Sequence, residues 1–410
     1  MRISLAVALA AQIIAGPSLT AQMLPPVRPL GPVAKVSPPD ILGSVSMVRP
    51  LSDGSVLVND FVRRQIVLLD RNFKLVRGIV DATTATGGPM GGSFYGLLPF
   101  KGDTSLVVDP SSLSMLVVDA TGEVVRVMAL PSVNDALLMI GGPYGTPGID
   151  AHGRWIFLGG PAATRPSSEA TPAAIHVSVD TAPLRRVDLA TREREILTYL
   201  KIPSESFTFL RDSTDRISGL IRQMNPAPIV DGWALMPDGR VAVVRGKDYH
   251  VDWLGLEGKW TPAPKVPFNW ERLDAADKQR LVDSSMAAYR KEREQPNRDD
   301  AKEPGSPPPS TARGRVDVQM TVRMEIDDSQ DYRPAFLRGS VRADTDGNLW
   351  VRTTVPTNAG AIYDVINGQG QLVDRVRLPF GRVISGFGPG VVYLGVLDVV
   401  GARLEMARIR

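Results

Sequence analysis

Three histidines occur in this 410-residue sequence, and one stands between two aspartates at strand spacing: Asp248, His250 and Asp252. Alternate residues of a strand share a face. Two carboxylates and an imidazole on one face form a donor set for a divalent metal ion. A strand wet on one side carries the same pattern for solubility alone, and metal sites usually draw ligands from several elements. The other two histidines, His152 in a hairpin turn and His176 in a Pro/Ala/Ser-rich stretch, are expected to be exposed and inert. Ser93 lies in Gly91-Gly92-Ser93-Phe94-Tyr95-Gly96, which has the outline of a nucleophile elbow but carries Tyr95 where that motif needs glycine. Gly87, Gly88, Gly91 and Gly92 are better suited to shaping a loop. No Gly-Lys-Ser/Thr ending marks a phosphate loop, and Gly386-Phe387-Gly388-Pro389-Gly390 lacks the following helix of a dinucleotide fingerprint. The chain has no cysteine, so thiol catalysis, thiolate metal sites and disulfide switching are excluded. No catalytic or cofactor-binding residue is assigned on these grounds. Asp248, His250 and Asp252 remain the metal candidates.

The elements that would position such groups are announced by a repeated phrase, an apolar strand, an acidic Gly turn and a second apolar strand. It reads Val48 to Val58 around Asp53-Gly54, Trp233 to Val243 around Asp238-Gly239, and Val341 to Val351 around Asp346-Gly347. Ile149 to Phe157, with His152-Gly153, is a looser copy. Asp-Gly suits a tight hairpin because glycine takes positive φ freely and aspartate bonds the turn backbone. A hairpin recurring at intervals of tens of residues points to a propeller or a similar all-β array.

The phrase divides the chain into blades: 43–80, 96–131, one from Gly148 interrupted at 161–174, one from Asp231 to Val266, and one over Leu337–Phe380. The last, Val383 to Ile409, is a strand short, and Leu30–Val36 near the other terminus is the candidate to complete it, since closure removes exposed strand edges. The expected fold is an all-β six-bladed β-propeller closed by an N-terminal strand, a single domain over 22–410. Residues 204–230 read as a long connection with one short helical turn. Residues 269–333 read as an insertion between blades four and five, with a charged helix from Asp274 to Arg293 and a mobile Pro-rich linker over 295–310. Trp233, Trp253, Trp260, Trp270 and Trp350 recur at blade positions and suit packing between blades.

Residues 1–21 carry the features of an export signal: Met1-Arg2, an apolar run from Ile3 to Gly16, and a cleavage region ending at Ala21. No later segment offers the roughly 20 apolar residues of a membrane span, so a periplasmic or secreted product without a transmembrane segment is expected. With 47 basic and 44 acidic residues the net charge is only +3. No basic patch with interleaved aromatics suggests nucleic-acid binding.

In the second half, Arg240 to Gly246, Asp248 to Trp253, Asp346 to Arg352, Tyr363-Asp364-Val365 and Gly370 to Pro379 follow an order that resembles exported bacterial six-bladed β-propeller proteins of the TolB-like and NHL-like kind. The resemblance spans most of the chain, is strongest over 231–410, and implies a fold without supplying a catalytic motif. Propellers host hydrolases, lyases and interaction modules alike. The expected function is a scaffold that binds a protein, a peptide or an envelope polymer, without a cofactor. The alternative is a metal-dependent lactonase or hydrolase holding Ca²⁺ in the central channel, with Asp150, Asp231 and Asp344 loosely placed for it. Aspartates at such positions also serve simply to cap hairpin turns.

Overall fold

The computed structural model describes residues 24–80, 95–142, 145–161, 174–214, 216–294, 319–398 and 401–410. It starts with two short strands, β1 (Val27–Pro29) and β2 (Val33–Val36), whose partners lie near the other end of the chain. Two four-stranded antiparallel meanders follow. The first is β3 (Met47–Pro50), β4 (Val56–Asp60), β5 (Gln65–Leu69) and β6 (Leu75–Val80). The second is β7 (Gly96–Pro99), β8 (Ser105–Asp109), β9 (Ser114–Val118) and β10 (Val124–Ala129).

The repeated phrase forms the hairpin between the first two strands of a sheet. At Asp53-Gly54 the glycine adopts φ +86° and its amide donates to Leu51 O at 3.1 Å, while Asp53 Oδ1 accepts from the Ser55 amide at 2.9 Å. Gly239 repeats the geometry at φ +85°, donating to Met236 O at 2.9 Å. A side chain at these angles would be strained, so glycine is required there.

The third sheet contains β11 (Gly148–Ile149), β12 (Arg154–Leu158), β13 (Ala174–Asp188), β14 (Arg194–Arg211) and β15 (Ile217–Met224). The fourth is β16 (Gly232–Leu235), β17 (Val241–Arg245), β18 (His250–Leu254) and β19 (Trp260–Pro262). Helix α1 (Ala275–Glu294) comes next, then β20 (Gln319–Met324), which joins the third sheet parallel to β15. The fifth sheet is β21 (Phe336–Ala343), β22 (Leu349–Thr353), β23 (Ile362–Ile366) and β24 (Leu372–Arg377), with β1 running parallel along β24. The sixth is β25 (Arg382–Gly388), β26 (Val391–Asp398) and β27 (Gly401–Arg408), with β2 antiparallel beside β27.

Among the described residues the six sheets are joined in a cycle by six apolar clusters, each shared by two sheets. Leu57 and Ile66 meet Tyr95 and Leu97 between the first and second. Leu106 and Met115 meet Trp155 and Phe157 between the second and third. Ile156 and Leu200 meet Trp233 and Val241, and Tyr249 and Val251 meet Val341 and Leu349. Trp350 and Val376 meet Ile384 and Val392 between the fifth and sixth. Tyr393 and Leu404 then meet Val56 and Phe73, returning to the first sheet. Strands between two neighbours are apolar on both faces, which is why every residue of β4 is buried.

The third sheet departs from the expectation for 204–230. That stretch forms two strands in place of a connection with a helical turn. Phe207 and Phe209 alternate with polar residues along β14, and Asp212 closes a turn by accepting from the Thr214 and Arg216 amides at 2.8 and 3.1 Å. Since β12 pairs only with residues 184–188 of β13, the remainder of β13 and β14 overshoots the blade. With β15 and β20 this overshoot makes an outer lobe. Helix α1 agrees with its expected position to within a residue at each end. Asp274 caps it, with the Asp277 amide donating to Asp274 Oδ1 at 2.8 Å and Asp277 reaching back to the Asp274 amide at 3.2 Å. The expected export signal and the whole of the expected Pro-rich linker, 295–310, lie outside the described residues. No helix among the described residues is long and apolar enough to cross a membrane.

Candidate functional site

Strand β18 places His250 and Asp252 on one face, and the turn before it supplies Asp248. The three sequence candidates therefore meet. His250 Nδ1 lies 2.7 Å from Asp248 Oδ1, and Nε2 lies 3.1 Å from Asp252 Oδ1. Each ring nitrogen thus faces a carboxylate oxygen. The set continues on both sides: Arg245 Nε donates to Asp252 at 2.7 Å and Nη1 to Asp231 at 2.9 Å, while Lys265 Nζ lies 3.5 Å from Asp248. Burial opposes ionisation of Asp248, but the hydrogen bond and charge of His250, helped by Lys265, hold its carboxyl below the usual range. The result is a line of alternating acidic and basic side chains, Asp231, Arg245, Asp252, His250, Asp248 and Lys265. Asp231 also accepts the Lys201 amide at 3.0 Å, so the line ties the fourth sheet to β14.

The other acidic candidates cap turns. Asp150 accepts the His152 and Arg154 amides at 3.0 Å each and the Arg154 Nε at 2.8 Å. Asp344 accepts the Asp346 and Asn348 amides at 2.9 and 2.8 Å, and the buried Trp350 Nε1 at 2.9 Å. Among the described residues no group of three or more His, Asp or Glu is arranged to hold a metal ion. His152 is exposed in its turn, His176 belongs to the backbone of β13, and Ser93 lies outside the described residues. Trp233, Trp253 and Trp350 are buried between sheets, whereas Trp270 is 37% exposed and stacks edge-on with Phe268 and Tyr332.

A second buried polar set crosses from the fourth sheet to the fifth. Asp364 Oδ2 accepts the Tyr249 hydroxyl at 3.0 Å and Oδ1 accepts Arg375 Nε at 3.0 Å. Burial pushes the Asp364 carboxyl up and the Tyr249 phenol well above its ordinary value.

The feature that sequence reasoning missed is a groove of about 550 Å³ under the outer lobe. Lys201, Ser204 and Ser206 come from β14, Gln223 and Asn225 from the end of β15, and Glu325 to Gln330 from the segment after β20. Gln223 Nε2 donates to Glu325 Oε2 at 2.9 Å, and Asn225 Nδ2 to Gln330 Oε1 at 3.1 Å, so the two walls are cross-braced. Lys278 of α1 donates to Asp328 O at 2.8 Å and fixes the rim. The legible signal was the alternation Ser204, Ser206, Thr208, which marks a polar strand face.

No protein-family model and no curated protein matches this chain. Among solved structures it is similar to a virginiamycin B lyase from Staphylococcus aureus, at 10% identity over 92% of this chain and 99% of that one, with a TM-score of 0.40. A gluconolactonase from Xanthomonas campestris is similar at 10% identity over 93% and 99%, with a TM-score of 0.38. The Swd1 β-propeller domain from Myceliophteria thermophila is similar at 11% identity over 92% and 99%, also with a TM-score of 0.38. At TM-scores of 0.40 and below these likenesses decide nothing for this chain. The sheets joined in a cycle by shared apolar clusters are what make the fold of the β-propeller type.

Proposed function

We propose that this protein is an exported binding module on a six-bladed propeller, periplasmic or secreted, whose ligand is an envelope polymer. In this reading each sheet is a blade and β2 completes the last one. The cycle of six clusters and the pairing of Val33–Val36 with β27 support the count and the closure. The export reading rests on the character of residues 1–21.

The observation that carries the binding role is the groove under the outer lobe. Its lining offers hydroxyls, amides and carboxylates from three chain segments on a braced frame, which suits a ligand rich in hydroxyl and amine donors. The test is co-sedimentation of the purified protein with peptidoglycan, comparing the natural chain with Ser204→Trp and Ser206→Trp, which fill the groove. The natural protein should pellet with the polymer and both variants should stay in the supernatant. Equal pelleting of all three, or none by the natural protein, would sink the proposal.

A further inference from the structure

Two exposed aromatic side chains, Trp270 and Tyr332, stand against each other between the fourth and fifth sheets. They are 37% and 46% exposed, and their ring centroids lie 6.3 Å apart at 71°. Apolar residues scattered singly over a surface need no explanation. This pair differs because it is rooted in the core. Trp270 packs edge-on against Phe268 at 5.3 Å, and Phe268 packs edge-on against Tyr249 at 5.5 Å. Tyr249 is fully buried and bonded to Asp364.

The backbone beneath the pair is fixed as well. Arg272 and Tyr332 form an antiparallel bridge, flanked by the Leu273 amide donating to Asp331 O at 2.8 Å and the Arg333 amide to Glu271 O at 2.9 Å. Arg333 Nε also donates to Glu271 Oε2 at 2.7 Å. Two large rings held on cross-linked segments have little freedom left to lose when a ligand covers them.

The neighbourhood indicates the ligand. Asn269, Glu271, Arg272 and Asp331 beside the rings are all exposed. Among the described residues the Trp270 indole N–H and the Tyr332 hydroxyl bond to no protein group. A lipid surface would have to strip water from these charges without replacing it. A pyranose presents an apolar C–H face to an aromatic ring and hydroxyls to the amide, carboxylate and guanidinium groups around it. Gln330 connects the pair to the groove under the outer lobe: it lines that groove, accepts from Asn225 at 3.1 Å and donates from Nε2 to Tyr332 O at 3.3 Å. We infer that Trp270 and Tyr332 form a sugar-stacking platform beside the groove, through which the polymer is recognised by its glycan strand. The inference rests on the reading of the ligand as an envelope polymer and narrows it to a saccharide.

The full-length protein is titrated calorimetrically with a soluble N-acetylglucosamine oligomer, with tryptophan emission followed in parallel. Saturable binding with a change in emission is expected from the natural chain. Trp270→Ala and Tyr332→Ala should each weaken it roughly tenfold or more, as for truncation of an aromatic anchor. Trp270→Phe keeps a ring face and should recover most of the affinity, which separates stacking from a folding defect. Unchanged binding by the folded alanine variants overturns the inference. So does a natural protein that pellets with peptidoglycan but ignores the oligomer, since contact then runs through the peptide stems and the polymer reading survives alone. Neither pelleting nor oligomer binding removes both. Oligomer binding lost in Trp270→Ala, with Ser204→Trp and Ser206→Trp still pelleting, supports the platform and removes the groove.

Discussion

Replacing Asp364 by alanine removes the acceptor for two buried donors on different sheets. The Asp364 side chain is fully buried and that of Arg375 is 12% exposed, so water can do little to compensate. An unpaired buried guanidinium costs about 3–5 kcal/mol, and an orphaned hydroxyl about 1–3 kcal/mol. Because one carboxylate serves both donors and the cavity admits some relaxation, Asp364→Ala should destabilise the protein by roughly 4 kcal/mol. Tyr249→Phe leaves the ion pair intact and should cost only about 1–3 kcal/mol. The double variant should cost less than the sum of the two, since the hydroxyl has no acceptor left to lose. Urea unfolding followed by tryptophan fluorescence reads these differences as shifts in midpoint at constant slope. Hydrogen exchange should quicken first in β17, β18, β22 and β23, the strands beside the bridge. A loss below about 1 kcal/mol for Asp364→Ala, far under the cost of breaking a buried pair, would refute the reasoning. So would strict additivity in the double variant, since residues sharing a hydrogen-bond network are expected to couple.

Alkaline stability follows from the same tyrosine. Burial raises the folded-state value of Tyr249 above the ordinary one, so its contribution is fully present below about pH 10 and is lost as pH rises through the higher folded value. Melts above pH 10 should therefore fall more steeply for the natural protein than for Tyr249→Phe. In the hairpin of the fifth sheet, Asp344→Ala orphans the buried Trp350 indole N–H and two turn amides, and should cost roughly 3 kcal/mol in the same urea assay. The exposed turn residue Asp238 in the fourth sheet is the matched control, and Asp238→Ala should be nearly neutral.

Much of the local architecture was legible because its causes are local. An Asp-Gly pair closes a hairpin whatever surrounds it, so the turns at Gly54, Gly239 and Gly347 could be placed from the residues alone. Leu75–Val80 is the strand its composition indicates, and Asp274 caps the helix it precedes. The same logic made the Asp248, His250 and Asp252 cluster visible, since strand spacing puts two of the three on one face. That logic could not show that Arg245 and Asp231 complete the cluster.

By itself the sequence determined the hairpins, the short apolar strands, the charged helix and the absence of thiol chemistry, because each depends on neighbours a few residues away. Tertiary structure alone decided the pairing of β15 with β20, where Gly219 meets Gln319, and with it the groove. It likewise brought Tyr332 to Trp270 and Tyr249 to Asp364. Such contacts depend on which sheets become neighbours and where long excursions return, and the free energy deciding that is shared over six apolar seams rather than written in any one stretch.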